Sequence, residues 1–345
     1  MVDRNDQSGA ESTDAVETDG VSRRSLLRGS GSAALLAVGA AIPGTATPDT
    51  HTVVRLEGSY GSPITFEEAQ DELGRTVRSH ARADDSVLDT RSRPVFGDDV
   101  RIVEYVARID GRGHLSEFYG GATKDREAKA HTRGEMKRAA FEDEGTIADV
   151  SPLASETDYG GDWNFVKDNQ ASADSTFGTV INNYEWYRIR EDGDEHNSFR
   201  SRSATAPEQS MATSKFEVAH DWDVSELGDE DVHTAEPTSS GSGSFDVSLG
   251  DVLDPLSWSF TVDNGITQSL DNDGPTITWT QGGIIGGLGG GTHWLHPGSH
   301  VVSDRADCSS KQTIVQLSAE AEWIGGGGMP YDEESHTWEI STVTC

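Results

Sequence analysis

Cysteine is nearly absent, with two thiols in 345 residues, Cys308 and Cys345, both within the last 38 positions. That excludes a disulfide-dense scaffold, and the lack of a Cys-x-x-Cys pair excludes the usual thiolate zinc and dithiol redox motifs. Lysine is scarce as well, 6 residues against 21 arginines. No stretch is apolar over the ~20 residues that a membrane-spanning helix needs, so no transmembrane segment is expected. The Walker phosphate loop, the Gly-x-Gly-x-x-Gly dinucleotide loop, the Gly-x-Ser-x-Gly elbow and the His-Glu-x-x-His frame are all missing. With them go the common signatures of nucleotide-dependent enzymes, serine hydrolases and zinc proteases, and no cofactor is expected. Positive charge is also short: 27 Lys and Arg face 60 Asp and Glu, for a net charge of −33. Such a surface repels nucleic acid and anionic membranes, and neither is expected as a general partner.

The first informative stretch is Ser22-Arg23-Arg24-Ser25-Leu26-Leu27-Arg28, followed by a mild apolar run from Gly29 to Ala41, then Pro43 and the small-residue site Gly44-Thr45-Ala46. The run is rich in Gly and Ala and too short to cross a bilayer. The arrangement resembles a twin-arginine export signal, the type that carries folded proteins across a membrane. The resemblance implies the Tat export machinery as a partner, cleavage after Ala46, and a mature chain from Thr47 that is secreted or held at the cell surface. No cysteine follows the run, so a lipid anchor is not expected there. In an oxidising compartment Cys308 and Cys345 are expected to pair, tying the C-terminus to the body. A loop of that length is worth about 4 kcal/mol in the chain-entropy picture.

Residues 47–345 keep 54 acids and 23 bases, spread over the whole length. Disorder would come with few aromatics, whereas 8 Trp, 7 Tyr and 10 Phe are present and apolar residues alternate in many places. Calcium sites and acidic tails would cluster their carboxylates. Dispersed acidity with arginine favoured over lysine resembles the proteins of extremely halophilic archaea. In molar salt the Debye length shrinks to ~3 Å and self-repulsion is screened.

Composition divides the chain into the signal at 1–46, a charge-mixed α+β part at 47–150, a β-rich middle segment at 151–243 and an all-β part at 244–345. The last part holds 14 acids and only 2 bases. In the first part, His51–Glu57 reads as a strand. Thr65 caps a helix from Phe66 to about His80, with Glu68 completing a capping box. Val103, Tyr105, Ala107 and Ile109 alternate as a strand face, Asp110-Gly111 turns the chain, and His114–Tyr119 returns. Lys124 to Phe141 reads as a helix weakened by Gly134. It carries 6 bases and 3 acids between Lys124 and Arg138, a basic patch read as attracted to the protein's own acidic surface rather than to an outside anion. In the middle segment, 181–190 reads as a strand pairing with 198–204, and 237–243 as a linker or long loop.

The C-terminal part alternates most clearly. Phe245, Val247 and Leu249 form one apolar row, Leu256, Trp258, Phe260 and Val262 a second, and Ile277 with Trp279 a third. Thr313, Val315, Leu317, Ala319, Ala321 and Trp323 form the longest. A period of two means antiparallel strands with one dry and one wet face, and hence a β-sandwich or small barrel. Asn264-Gly265 and Asp273-Gly274 read as turns between strands. Gly282–Gly291 is too rich in glycine for a regular strand.

Three clusters carry candidate chemistry. His293, His296 and His300, with Asp304 and Asp307 downstream, are candidate zinc ligands, although their spacing matches no zinc motif and also suits histidines gathered in a turn. Ser269, Asp271, Asp273 and Gly274 have the look of a calcium loop, but Ser269 and Thr280 stand where Asp and Glu are needed. Glu320 and Glu322 share a strand face, as paired glycosidase carboxylates can, and equally as the wet face of an acidic sheet does.

The leading functional expectation is a non-enzymatic secreted or surface protein whose C-terminal β-part presents aromatic side chains and loops to an unknown extracellular or envelope ligand. The alternative is a secreted antimicrobial or pore-forming toxin, since long Ser/Thr-rich amphipathic strands can reassemble in a membrane and Ile284–Gly289 is apolar and flexible. A second alternative is an extracellular hydrolase. The charge itself is testable: circular dichroism should show loss of structure in 50 mM salt and its return in molar salt, and an unchanged spectrum would count against salt adaptation.

Overall fold

A computed structural model describes residues 51–79, 90–110, 114–142, 163–191, 194–223, 231–238, 240–249, 256–271, 275–282, 288–304, 312–325 and 332–342. The export signal, including Arg23, Arg24 and Ala46, and both cysteines, Cys308 and Cys345, lie outside the described residues. So do Gly111, Asp273, Gly274 and 283–287.

In chain order the elements begin β1 (Thr52–Glu57), α1 (Phe66–Ser79), β2 (Thr90–Phe96), β3 (Arg101–Ile109), β4 (Leu115–Ala122) and α2 (Glu127–Glu142). They continue β5 (Asn164–Asp174), β6 (Gly178–Glu191), β7 (Asp194–Ser201), β8 (Ser203–Pro207), β9 (Met211–Asp221) and β10 (Asp231–Glu236). The last are β11 (Gly241–Leu249), β12 (Leu256–Asp271), β13 (Thr276–Gly282), β14 (His293–Leu295), β15 (Gly298–Asp304), β16 (Gln312–Gly325) and β17 (Asp332–Thr342). The protein is thus mainly β, with its helices near the N-terminus, as the sequence suggests.

A large sheet runs β1-β3-β4-β5-β6-β7-β15-β10, with β8 beside β6 and β14 beside β8. A smaller sheet runs β11-β12-β13-β9-β16-β17-β2. Pairing is antiparallel throughout except between β4 and β5, which run parallel with α2 in their connection. The two sheets pack as a sandwich, with Tyr184, Trp186 and Phe199 of the large sheet sharing one core with Phe216, Val218, Leu317 and Trp338 of the small one. Both sheets draw strands from all three composition segments: β2, from the first, sits beside β17, from the last.

The helices extend the layers. The Thr65 hydroxyl accepts from the Glu68 N–H at 3.1 Å and the Glu68 carboxylate accepts from the Thr65 N–H at 3.0 Å, the expected capping box. Below it, Ala69, Leu73 and Val77 of α1 join the main core. On the opposite face of the large sheet, α2 seals Val106 and Phe118 with Phe141. A Cβ at Gly134 would lie 2.0 Å from Glu104 Cγ, so the residue that weakens α2 by propensity is what lets it seat on β3. Basic residues of α2 meet the protein's own acids: Lys129 meets Glu208 at 2.7 Å and Arg133 meets Asp174 at 3.1 Å, while Arg138 pairs along the exposed helix face with Glu142 at 2.7 Å.

Much of the inter-sheet contact is polar. The Asn182 amide donates to the Leu317 carbonyl at 2.9 Å, and Trp338 Nε1 donates back to the Asn182 carbonyl at 3.0 Å. Trp323 Nε1 reaches Thr205 Oγ1 at 3.2 Å. His220 is held between Ser201 and Ser299, each 2.7 Å away, and burial pushes it down to about 3. His336, stacked on Phe96, is likewise pushed down to about 3 by burial, and both its ring nitrogens lack a hydrogen-bond partner.

The most heavily satisfied group is Glu117 on β4. Its Oε1 accepts from Tyr105 and Tyr119 at 3.0 Å each and from Gln70 at 2.9 Å, while Oε2 accepts from Lys167 at 3.0 Å and Asn169 at 3.2 Å. Burial alone would raise this carboxyl, but Lys167 and the surrounding donors hold it below its usual range. Five partners from α1, β3, β4 and β5 meet on one carboxylate.

Two sequence expectations change. Residues 237–243 are not all linker, because Gly241–Gly243 already belong to β11. Asn264-Gly265 is not a turn, because β12 runs unbroken through it.

Removing one partner from the buried pair leaves a charge stranded in the core, which costs about 3–5 kcal/mol. Lys167→Met should therefore lower stability by about that much in urea titrations at fixed molar salt, and Lys167→Met with Glu117→Gln should cost clearly less than the sum of the two single changes.

Candidate functional site, a docked amphipathic hairpin

Strand β12 serves two layers. Its second half, Ile266–Asp271, pairs with β13 inside the small sheet. Its first half pairs with β11 from Leu249↔Leu256 to Gly243↔Val262, forming a hairpin that extends from the sheet. The pairing register shifts between Gly241 and Gly243, whose φ angles of 140° and 120° are open to glycine and strained for other residues. Asn264-Gly265 lies opposite this shift, which explains why turn chemistry appears inside a continuous strand.

The two faces of the hairpin differ completely. Phe245, Val247, Leu249, Leu256, Trp258, Phe260 and Val262 are all buried. Ser244, Asp246 and Ser248 are exposed, and Ser257, Ser259 and Thr261 are half-buried. Ser244 and Thr261 share a hydroxyl hydrogen bond of 3.1 Å across the wet face.

The apolar face rests on the large sheet. Trp258 Nε1 donates to the His296 carbonyl at 2.8 Å, and the Arg200 guanidinium lies 5.1 Å from the Trp258 ring centre. Phe260 stacks on the His296 imidazole at 5.6 Å. Ser299, one residue beyond Gly298, points the other way, to His220 of β9 and to Trp222 just after that strand. The end of the large sheet is thus clasped between the body of the small sheet and this hairpin. Burying seven such side chains contributes on the order of 10–20 kcal/mol to docking, as an upper estimate.

Charge beneath the hairpin is concentrated. Glu185 accepts from Arg202 at 2.7 Å, from Tyr187 at 3.0 Å and from Arg200 at 3.4 Å. Burial pushes Arg202 down to about 10. The His296 imidazole is held well below its ordinary value by burial first and then by Arg200 and Arg202.

The sequence-derived candidates fall in different places. His296 stacks on Phe260, whereas His300 stacks on His196 and meets the edge of Trp163. His293 Nε2 lies 3.5 Å from the Gly289 carbonyl. Among the described residues no group of three His, Cys, Asp or Glu is arranged to hold a metal ion. Glu320 and Glu322 project from the wet face of β16 beside Glu217 of β9 and Glu333 of β17. Burial, then Glu333 and Glu217, push Glu320 up to about 7. Ser269 and Asp271 pair with Thr278 and Thr276 in the β12–β13 ladder.

Of the tryptophans of the β-part, Trp258, Trp279, Trp323 and Trp338 are at most 4% exposed and point into the core, whereas Trp294 is half-buried. Alternation announced the hairpin strands, but their docking depends on Gly298, Arg200 and His296, which carry no sequence signal for that role.

No family model matches the chain, and no curated protein does. Among solved structures, Clostridium perfringens delta-toxin is 10% identical with a TM-score of 0.29, covering 55% of this chain and 93% of that one. The Clostridium perfringens NetB toxin in the membrane inserted form is 5% identical with a TM-score of 0.26, covering 54% of this chain and 94% of its own. At such scores the likeness carries no argument about activity.

Gly298 makes the docking separable from the fold. A Cβ there would sit 2.4 Å from Trp258 and 2.7 Å from Leu249 Cδ1. Gly298→Val should lift the hairpin, read as faster amide exchange at 243–249 and 256–262, while the β9–β16–β17 ladder stays protected.

Proposed function

We propose that the protein is a membrane-active, pore-forming effector, folded first as a water-soluble body with its membrane-crossing hairpin stowed against the large sheet. One observation carries this reading: a paired, fully two-faced hairpin whose apolar face is docked on the body through side-chain packing and whose base is built on glycines. β11 has 9 residues, within the ~9–11 that a tilted strand needs to cross a bilayer. In that setting Phe245, Val247, Leu249, Leu256, Trp258, Phe260 and Val262 face lipid, and Ser244, Asp246, Ser248, Ser257, Ser259 and Thr261 face a water-filled lumen.

Two strands cannot satisfy their outer backbone groups in hydrocarbon, so hairpins from several copies must close a barrel. The seven apolar side chains then exchange one dry environment for another, which offsets the cost of undocking. Heavy negative charge directs the protein to neutral rather than anionic lipid. Export through the twin-arginine route would deliver the body already folded, with the hairpin stowed. No helix of the described residues is long and apolar enough to cross a membrane, a fact silent on strands.

Dye release from zwitterionic vesicles in molar salt tests this. The wild type should release dye at micromolar protein, and complete absence of release there removes the reading. Asp246→Lys, on the lumen face, should keep release and shift channel selectivity toward anions. Val247→Lys, on the lipid face, should reduce release at least tenfold, since a midplane lysine costs about 2–4 kcal/mol.

A further inference from the structure

His296 is the residue on which the hairpin sits. Its ring is fully buried, stacked on Phe260 at 5.6 Å, with Trp294 tilted against it at 6.1 Å. Its carbonyl receives the Trp258 indole N–H. Any change in this imidazole is therefore felt first by the hairpin.

Among the described residues, charged and titratable groups are contributed by the neighbouring strands. Arg200 at the end of β7 and Arg202 just after it share the Glu185 carboxylate of β6 with the Tyr187 hydroxyl. Glu236 on β10, across from Gly298, accepts the Thr238 N–H at 2.8 Å. His300 on β15 is turned to His196 of β7, their ring nitrogens 3.3 Å apart. On β14, His293 is turned to the Gly289 carbonyl. The hairpin face pressed on His296 brings Trp258 and Phe260, which supply no counter-charge, and Asp246 projects from the other face into solvent. An imidazolium formed here would be a further cation beside the guanidinium groups of Arg200 and Arg202, in a buried contact between aromatic rings.

We propose that His296 is an acid-sensitive latch, and that gain of a proton on its ring releases the hairpin from the body. The consequence for membranes rests on the hairpin reading above, but the latch does not. While the hairpin is docked, burial and the two arginines keep the imidazole neutral. Once the hairpin lifts, water reaches the ring and its affinity for protons returns to the ordinary value near 6.5. The docked state thus binds fewer protons than the released state. Docking is strongest above pH ~6.5 and weakens as pH falls, and between pH 7.5 and 5.5 the released-to-docked ratio rises about tenfold. An acidic medium would then be where the hairpin deploys.

The test is hydrogen exchange with mass spectrometry on the full chain in molar salt at pH 7.5 and 5.5, corrected for intrinsic exchange rates. Opening of 243–249 and 256–262 should rise about tenfold on acidification. Peptides from β16 and β17, which lie by His220 and His336, report any general acid loosening and should change less. In His296→Phe, and in the polar control His296→Asn, the hairpin-specific rise should vanish. A rise of equal size in both variants overturns the latch, as does no rise in the wild type. Circular dichroism identifies a variant that fails to fold, and the other then decides. Acid-dependent opening with no dye release at any pH keeps the latch and removes the pore. Dye release without acid-dependent opening removes the latch alone.

Discussion

A carboxylate can sit in a dry core only if its neighbours replace the water it has lost, and Glu117 imposes that condition on this fold. Its five partners come from α1, β3, β4 and β5, and each must be in register for the charge to be tolerated. The parallel β4–β5 ladder sets Glu117 level with Asn169 and Leu115 level with Lys167. A slip of one residue would turn these groups to the other face and strand the carboxylate. The pair adds little net stability compared with an apolar core, but it makes alternative registers of the large sheet expensive.

The same economy recurs between the sheets. Asn182, Ser201, Ser299 and His220 occupy positions that a purely apolar sandwich would give to Val or Leu. Each polar contact joins one sheet to the other by direction as well as by burial, so the sheets meet in one arrangement. The hairpin is held differently. Among the described residues, apart from the Trp258 indole bonded to the His296 carbonyl and the Arg200 guanidinium over the same ring, the contacts that dock it are aromatic and aliphatic. Such contacts lack direction and can be re-formed against any apolar medium. Within one chain, the two sheets are joined by hydrogen bonds as well as by burial, and the hairpin mainly by packing.

Sequence pattern reveals half of this. Strands with a wet face, such as β11, β12, β13 and β16, are legible because alternation requires only one buried side, and the Thr65–Glu68 capping box is legible because it is local. The strand β5, Asn-Phe-Val-Lys-Asp-Asn-Gln-Ala-Ser-Ala-Asp, is not, because its buried positions are filled by Lys167, Asn169 and Asp174, which look exposed until Glu117 and Arg133 are brought to them. β17 hides for the same reason, with His336 and Glu334 buried beside Trp338. At the hairpin, the dry row and the turn-like Asn264-Gly265 could be read, but not that the turn chemistry marks a passage from one layer to another. Gly298 and Arg200 could not be read at all, since their roles exist only when β7 and β15 lie together under Trp258.

The edge of the small sheet sets a condition on synthesis. Among the described residues β2 pairs only with β17, with Phe96 opposite His336, about 240 positions apart in the chain. While the polypeptide emerges, residues 90–96 have no neighbouring strand until β17 has left the ribosome. Native closure of this edge therefore waits for β17, and it is slow to nucleate because so long a loop must be closed first. A chain interrupted before residue 332 would keep that seam open and Phe96 without its stacking partner. The topology thereby makes the folding of one of the earliest strands wait on one of the latest.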